Sequence, residues 1–280
     1  MRQLSDKEIE ARLRLDNPWW QAGQGIDPDY REFPRRAYLS GFSKLVKEME
    51  VNRAVVLLGP RRVGKTIMVY HAIQWLMDEV GVSGRDILYL SLETPIYSGL
   101  AIETLVRRFQ RLFDRPAGTP LYVFFDEIQY LKGWEVHLKS LVDTFRGIQF
   151  VATGSAAAAL KAKSVESGAG RFTEFQLPPL TFAEYLRFIG REDDLIVERG
   201  APGDPGRFVT RDIMGLNEEF VRYLNFGGFP EAVFSEHIQA NPRRYIKSDI
   251  IDKVLLRDLP ILPRQKNSWA VSGTGNAPSA

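Results

Sequence analysis

The feature that most constrains this chain is the turn at residues 59–66, which reads Gly-Pro-Arg-Arg-Val-Gly-Lys-Thr. It fits the GxxxxGKS/T pattern, in which backbone N–H groups surround an anion at the start of a helix. An apolar run at residues 54–58 precedes the turn, and residues 67–73 follow it with helical spacing. The pattern therefore predicts a buried strand, a phosphate-binding loop and a helix, in that order.

The residues of this loop have distinct predicted roles. Gly59 and Gly64 permit backbone conformations that a side chain would hinder. Lys65 is expected to contact the β- and γ-phosphates of a nucleoside triphosphate, and the Thr66 hydroxyl is expected to ligate Mg²⁺. The two arginines are expected to orient the loop or to line the nucleotide entrance. The predicted nucleotide-binding residues of this segment are Gly59, Pro60, Arg61, Arg62, Val63, Gly64, Lys65, Thr66 and Ile67.

Composition narrows the chemistry that can accompany the loop. The chain has no cysteine, which excludes disulfides, thiolate zinc sites and cysteine nucleophiles. Its three histidines, His71, His137 and His237, lie far apart and form no metal-binding motif. The net charge is only +2, and we interpret the local basic clusters as solvated helix faces, with DNA binding as the alternative. No signal peptide or membrane span is indicated, so a cytoplasmic location is expected.

Strand-like and helix-like segments alternate from residue 51 onwards. This alternation predicts right-handed crossovers and a parallel sheet covered on both faces, within an α/β domain at residues 51–190. The strands are predicted at residues 53–58, 86–91, 120–125 and 148–153, and the helices near residues 65–80, 99–113 and 134–146.

An N-terminal arm is predicted over residues 1–50. Ser5 and Glu8 form a capping-box pattern at the start of a short helix. The adjacent Trp19 and Trp20 are expected to be buried, because their exposure would leave a large apolar area in water. We therefore expect the arm to be packed onto the main domain.

The sequence changes character after the α/β region. Residues 191–260 predict a smaller helical domain of lid or winged-helix type. Residues 261–280 have the composition of a disordered or non-native tail, with no periodicity.

Two acids at the end of the third predicted strand extend the predicted site. Asp126 is expected to hold Mg²⁺ through a water, and Glu127 is expected to accept a proton from the attacking water or to orient it. Open α/β sheets bind ligands at the carboxyl ends of their strands, where both acids would face the phosphate loop. The pair predicts hydrolysis in addition to binding.

Two further positions are candidates for contact with the γ-phosphate. Ser155 follows the fourth predicted strand and is expected to sense the γ-phosphate, either besides or instead of capping an alanine-rich helix at residues 156–160. Arg171 follows a glycine-rich stretch and is expected to stabilise charge on the transferring phosphoryl group, supplied from a neighbouring subunit. The alternative for Arg171 is an ordinary surface arginine.

Several of these motifs together resemble a known family. The chain is similar over roughly residues 12–260 to bacterial and archaeal AAA-type ATPases that carry a C-terminal domain of unknown function. These are close to the archaeal-ATPase and STAND branches of the P-loop NTPases. The matching segments are Asn-Pro-Trp-Trp at 17–20, the loop at 59–66, Phe-Asp-Glu-Ile-Gln at 125–129, Thr-Gly-Ser at 153–155, Gly-Arg at 170–171, Leu-Pro-Pro-Leu-Thr-Phe-Ala-Glu-Tyr at 177–185 and Gly-Gly-Phe-Pro-Glu at 227–231.

The resemblance implies an ASCE/AAA-type P-loop sheet in the order 5-1-4-3-2, with ATP or ADP and Mg²⁺ as ligands. It assigns Asp126 to Mg²⁺, Glu127 to water activation, and either Ser155 or Thr153 to sensing of the γ-phosphate. It also implies that Arg171 is an arginine finger and that residues 227–230 form a lid turn that approaches the nucleotide, with Pro230 as a nucleotide-binding residue. Family members usually continue into a second sizeable domain, so a truncated C-terminus is expected here.

These observations favour a Mg²⁺-dependent ATPase that acts as a conformational switch on an unidentified protein partner. One alternative is a nucleotide-gated binding module with negligible turnover. A DNA-handling ATPase is the other, and it rests on the basic clusters alone. A kinase is disfavoured because no acceptor-binding domain is apparent.

Overall fold

A five-stranded parallel sheet forms the centre of the chain in a computed structural model that describes residues 5–97, 99–116, 118–155, 170–199 and 208–245. The strand order is β2-β3-β4-β1-β5. From the opposite edge this is the order 5-1-4-3-2, which confirms the predicted fold class. The strands are β1 (Ala54–Leu58), β2 (Ile87–Ser91), β3 (Leu121–Asp126), β4 (Ile148–Gly154) and β5 (Phe172–Gln176).

Burial explains which strands the sequence reveals. Strands β1, β3 and β4 are buried along their whole length, as strands covered on both faces of a parallel sheet should be, and β1 and β3 consist mainly of a continuous apolar run. Strand β5 lies at an edge, where Ala54 is paired with Phe172, and its Phe-Thr-Glu-Phe-Gln sequence has only two apolar residues among three polar ones. The sequence pattern did not predict the position of β5, because this strand lacks a continuous apolar run.

Helices cover the sheet and carry the chain between its strands. Helices α2 and α3 pack against α4, and α1 packs against β2. The bounds of α1, α4, α5 and α6 agree with the predicted helices to within a few residues, whereas no bounds were predicted for α2 and α3. These helices are α1 (Asp6–Asp16), α2 (Pro28–Glu32), α3 (Leu39–Lys47), α4 (Lys65–Asp78), α5 (Ile102–Leu112) and α6 (Trp134–Thr144).

The N-terminal arm is packed onto the main domain. Ser5 and Glu8 form the predicted capping box at the start of α1. Trp19 and Trp20 are both buried, in a short 3-10 turn that follows α1. They join the apolar core of the sheet, so the arm is part of that core.

The C-terminal part of the described chain is mainly helical and has its own apolar cluster, which begins at Leu180. A short antiparallel pair of strands, β6 (Ile196–Glu198) and β7 (Phe208–Thr210), was not predicted from the sequence. Among the described residues, no helix is both long and apolar enough to cross a membrane. The predicted tail at 261–280 lies outside the described residues. The helical elements are α7 (Phe182–Phe188), α8 (Glu192–Leu195), α9 (Ile213–Arg222), a π-turn (Tyr223–Gly227), α10 (Pro230–Phe234), α11 (Glu236–Ala240) and α12 (Pro242–Tyr245).

Candidate functional site

The phosphate loop joins the carboxyl end of β1 to the first turn of α4. Gly64 has a φ of 88°, in the left-handed region, and is the N-cap of α4. A Cβ atom at Gly59 would lie 2.3 Å from the carbonyl oxygen of Leu177, which is closer than any side chain allows. Both glycines are therefore required by the backbone path of the loop.

Lys65 is the first residue of α4, and its side chain is buried. Its Nζ donates to the carbonyl oxygens of Gly59 at 3.1 Å and Pro60 at 3.0 Å. The loop thus encloses its own ammonium group at the N-terminal end of the helix, where the helix dipole favours an anion. This places a positive charge where a phosphate would meet the loop.

Asp126 ends β3, and its buried carboxylate accepts hydrogen bonds from three hydroxyl groups. Thr66 Oγ1 donates to Oδ2 at 2.9 Å, and the Tyr89 hydroxyl donates to the same oxygen at 3.0 Å. Thr153 Oγ1 donates to the other oxygen, Oδ1. The fold therefore brings together the two residues predicted to hold the metal. Tyr89 was not predicted, and Thr153 only as an alternative to Ser155.

Glu127 follows directly and is half-buried beside the loop. Its backbone N–H donates to Thr153 Oγ1 at 2.9 Å, and its φ of 56° is in the left-handed region. Gln129 donates to its carboxylate. Burial raises the pKa of Glu127, whereas the nearby Lys65 charge lowers it and Asp126 raises it further. A carboxylate with a raised pKa beside the phosphate loop is suited to accept a proton from water.

The chemistry of Thr66 and Asp126 fits a magnesium ion. Both offer oxygen atoms, and Mg²⁺ is typically held by one or two carboxylates together with substrate phosphates and water. The described residues contain no group of three or more His, Cys, Asp or Glu side chains that could hold a metal ion by themselves.

A cavity of about 490 Å³ opens beside the loop, a volume typical of small-molecule sites. Lys65, Thr66 and Glu127 line one part of it. Phe33 and Phe234 line another and stack with their ring centroids 6.4 Å apart. The cavity thus combines a phosphate-binding end with an aromatic wall, which suits a nucleotide. Its other lining residues are Pro34, Arg36, Arg62, Gly64, Ile67, Met68, His71, Phe188, Pro230, Glu231 and Ser235.

The C-terminal helices approach the loop from outside. A Cβ atom at Gly64 would lie 3.8 Å from Pro230 Cγ, so the start of α10 lies directly over the loop. Arg62 forms an ion pair with Glu231, and its guanidinium lies 5.2 Å from the centre of the Tyr245 ring. The Tyr245 hydroxyl also donates to Glu231, at 2.9 Å. A loop residue is thereby joined to two helices of the C-terminal part.

A buried ion pair between Arg36 and Glu184 was missed from the sequence. Arg36 Nε donates to Glu184 Oε1 at 2.8 Å, and Nη1 donates to the carbonyl oxygen of Val63 in the phosphate loop at 2.7 Å. Nη2 donates to the carbonyl oxygen of Pro178 at 2.9 Å. Glu184 also forms a capping box with Thr181, and this Thr-x-x-Glu pattern was the available sequence signal.

Two other predicted site residues, Arg171 and Ser155, are not brought into this cluster by a hydrogen bond or ion pair described above. Arg171 precedes β5 at the end of the sheet opposite the phosphate loop, where it is ion-paired with Asp143. Five residues of strand, or about 16 Å, separate it from the loop of its own chain. Ser155 is buried directly after β4, and the helix it was expected to cap lies outside the described residues. Both roles stay predictions.

The sheet order and the phosphate loop define a P-loop NTPase fold. Residues 51–186 match the model of a family described as AAA domain. The match covers the sheet and the cluster formed by Lys65, Thr66, Asp126 and Glu127.

The curated relatives of this chain include uncharacterized proteins of a bacterium and an archaeon. The one from Haemophilus influenzae is 25% identical over 219 residues, which cover 77% of this chain and 48% of the relative. MJ1544 of Methanocaldococcus jannaschii is 26% identical over 208 residues, which cover 74% of this chain and 42% of that protein. The chain therefore spans less than half the length of these relatives.

Solved structures with a related chain path include two larger proteins. The Aeropyrum pernix ORC1 protein in complex with DNA has a TM-score of 0.42 and 16% identity, covering 64% of this chain and 54% of its own. PCH-2 of C. elegans has a TM-score of 0.40 and 15% identity, covering 83% and 66%. This is similarity of chain path alone.

Proposed function

We propose that this chain binds ATP with Mg²⁺ between the phosphate loop and the C-terminal helices, hydrolyses it and uses the cycle as a conformational switch. The observation that carries the proposal is the convergence of Lys65, Thr66 and Glu127 on one cavity, with Asp126 bonded to Thr66 behind them. The AAA domain match over residues 51–186 supports the same activity.

Each residue of the cluster has a distinct task in this proposal. Thr66 and Asp126 would hold Mg²⁺, which neutralises charge on the β- and γ-phosphates when bound. Lys65 would donate to phosphate oxygens from the position it now occupies within the loop. Glu127 would take a proton from the attacking water, a role that its raised pKa favours.

The contacts between the loop and the C-terminal helices support a switch. Arg62 belongs to the phosphate loop, whereas its partners Glu231 and Tyr245 belong to α10 and α12. A bound phosphate that attracts the Arg62 guanidinium would weaken the contacts of Arg62 with Glu231 and Tyr245, and so with both helices. We propose that these helices act as a lid that begins near Leu180, where the second apolar cluster starts, and so earlier than the predicted boundary at 191.

Arg171 is assigned in this proposal to the site of a neighbouring subunit in a homo-oligomer. Its side chain is exposed, and it lies at the end of the sheet opposite the loop of its own chain. Arginines supplied in trans to a phosphoryl group are a recurring feature of nucleotide hydrolysis. The assignment predicts that turnover per subunit rises with protein concentration.

The test is steady-state phosphate release from ATP and Mg²⁺ across a protein concentration series, with ATP affinity measured on the same samples. Lys65→Ala is expected to lose both binding and turnover. Glu127→Gln is expected to bind ATP but to lose turnover by about 10²- to 10⁴-fold, because the proton acceptor is gone.

The outcomes separate the alternatives. Wild-type protein that binds ATP but turns it over no faster than Glu127→Gln would be a nucleotide-gated binding module. Wild-type protein that does not bind ATP would overturn the proposal altogether. Turnover per subunit that does not change across the concentration series would contradict the role of Arg171 in the site of a neighbouring subunit.

A further inference from the structure

The Asn-Pro-Trp-Trp segment at residues 17–20 has no task in the proposed hydrolysis, yet it is one of the most tightly bound parts of the arm. Asn17 is fully buried. Its Nδ2 donates to the carbonyl oxygen of Tyr89 at 3.0 Å, and its Oδ1 accepts from the Tyr89 N–H at 2.6 Å. The side-chain amide thus pairs with the backbone of Tyr89 as a neighbouring strand would.

The two tryptophans bind the same strand two residues earlier. Trp19 Nε1 and Trp20 Nε1 both donate to the carbonyl oxygen of Ile87, at 3.3 and 2.7 Å. Because β2 is an edge strand, its outer backbone groups have no partner strand, and the arm satisfies them instead. The arm therefore fixes the backbone of β2 at Ile87 and at Tyr89.

The side chain of Tyr89 points from this fixed backbone toward the carboxylate of Asp126. Its ring lies 4.9 Å from the ring of Tyr70 and 6.5 Å from that of Trp19, centroid to centroid. Its hydroxyl donates to Asp126 Oδ2, the same oxygen that accepts from Thr66. Tyr89 and Thr66 thus share one oxygen of the carboxylate, whereas Thr153 donates to the other.

We propose that Tyr89 is a positioning residue for Asp126 and that the arm segment at 17–20 holds Tyr89 in place. This inference rests on the proposed function, since it concerns how Asp126 and Thr66 hold Mg²⁺. Groups that orient a metal ligand through a hydrogen bond typically change metal affinity or activity by about 10- to 100-fold when removed. In this proposal the segment at 17–20 supports the position of Asp126 through Tyr89, in addition to packing against the edge strand β2.

The test measures how much Mg²⁺ strengthens nucleotide binding. The dissociation constant of a non-hydrolysable ATP analogue is determined with Mg²⁺ and with EDTA, and the value in EDTA divided by the value with Mg²⁺ is the magnesium effect. Tyr89→Phe keeps the ring and removes only the hydroxyl. It is expected to decrease this ratio about 10-fold while the value in EDTA stays within about twofold of wild type.

Tyr97→Phe is the matched control. Tyr97 and Tyr89 are both 4% exposed, but the Tyr97 hydroxyl donates to Asp16 at 2.6 Å. Its removal is expected to leave the magnesium effect unchanged. Trp20→Phe tests the arm: losing the hydrogen bond to Ile87 is expected to decrease the ratio about threefold.

Three outcomes would contradict separate steps of this proposal. A Tyr89→Phe ratio equal to that of wild type, or equal weakening of binding with Mg²⁺ and with EDTA, would overturn the positioning role. An unchanged ratio in Trp20→Phe would remove the arm from the proposal. A wild-type protein whose nucleotide affinity does not respond to Mg²⁺ would overturn the proposed metal site itself, and the inference with it.

Discussion

Two ion pairs connect the phosphate loop to the C-terminal helices, and they differ in burial. The side chains of Arg36 and Glu184 are 4% and 1% exposed, whereas those of Arg62 and Glu231 are 28% and 50% exposed. Arg36 reaches the loop through the carbonyl oxygen of Val63, while Arg62 is itself a loop residue. The same loop therefore has one connection inside the protein and one at its surface.

The difference in burial indicates that the Arg36–Glu184 pair holds the loop in place, whereas the Arg62–Glu231 pair can rearrange. Arg36 binds both oxygens of Glu184, and the Ala37 N–H donates to the same carboxylate at 2.9 Å. Breaking such a buried, hydrogen-bonded pair is costly, whereas an exposed pair contributes little and is screened by salt. We infer that the loop is held at Val63 and can reorganise at Arg62 when a phosphate arrives.

The largest expected effect on stability follows from removing the negative charge of the buried Arg36–Glu184 pair. Glu184→Gln keeps the shape of the side chain and its place in the capping box, but it leaves the Arg36 charge buried without a counter-charge. The free energy of unfolding is expected to fall by about 3–5 kcal/mol, the usual result of removing one partner of a buried pair. Chemical denaturation followed by circular dichroism measures this.

An exposed pair beside the same helix provides the control. Arg187 and Glu192 are 48% and 32% exposed, with a donor–acceptor distance of 2.8 Å. Glu192→Gln is expected to cost less than about 1 kcal/mol. Equal costs for the two substitutions would mean that burial does not distinguish the two connections.

The pH dependence of unfolding sharpens the same contrast. Burial by itself would raise the pKa of Glu184, but hydrogen bonds from Arg36 and from the N–H groups of Thr181 and Ala37 lower it below its ordinary value of 4.5. A lowered pKa in the folded state means that the stabilisation is complete above the unfolded pKa and is lost as the pH falls through the folded one.

The difference in unfolding free energy between wild type and Glu184→Gln is therefore expected to be constant from neutral pH down to about pH 5 and to shrink below that. Denaturation curves of both proteins at a series of pH values measure it. A difference that grows on acidification would contradict the assigned charge state of the pair.

The features of this molecule that could be predicted from the sequence are those that depend on residues adjacent in the chain. The loop at 59–66 and the Asp126–Glu127 pair are local patterns, and strands β1 to β4 are marked by apolar runs. The edge strand β5 has no such run. Strand order came from the family resemblance and not from the pattern of single segments.

The missed residues act through contacts between distant parts of the chain. Tyr89 is 37 residues from Asp126, and Arg36 is 148 residues from Glu184. Thr153 contacts Asp126 because β3 and β4 are neighbours with Phe125 paired to Ala152. A sequence pattern contains no register between strands, so it could not decide between Thr153 and Ser155.

The smallest effect on stability is expected at the exposed Arg62–Glu231 pair, where substitution is expected to strengthen ATP binding. Glu231→Gln should change the free energy of unfolding by less than about 1 kcal/mol. It should also tighten ATP binding several-fold, because the Arg62 guanidinium no longer has a competing carboxylate and the cavity wall loses a negative charge. Titration calorimetry with ATP measures the affinity.

Glu236→Gln removes the same charge from the exposed start of the neighbouring helix α11 and should have a smaller effect on affinity. The gain in Glu231→Gln should shrink between about 0.05 M and about 0.5 M salt, since the screening length falls well below the size of the site. Weaker ATP binding in Glu231→Gln, or destabilisation as large as in Glu184→Gln, would show that Arg62 and Glu231 form a structural joint like the buried pair.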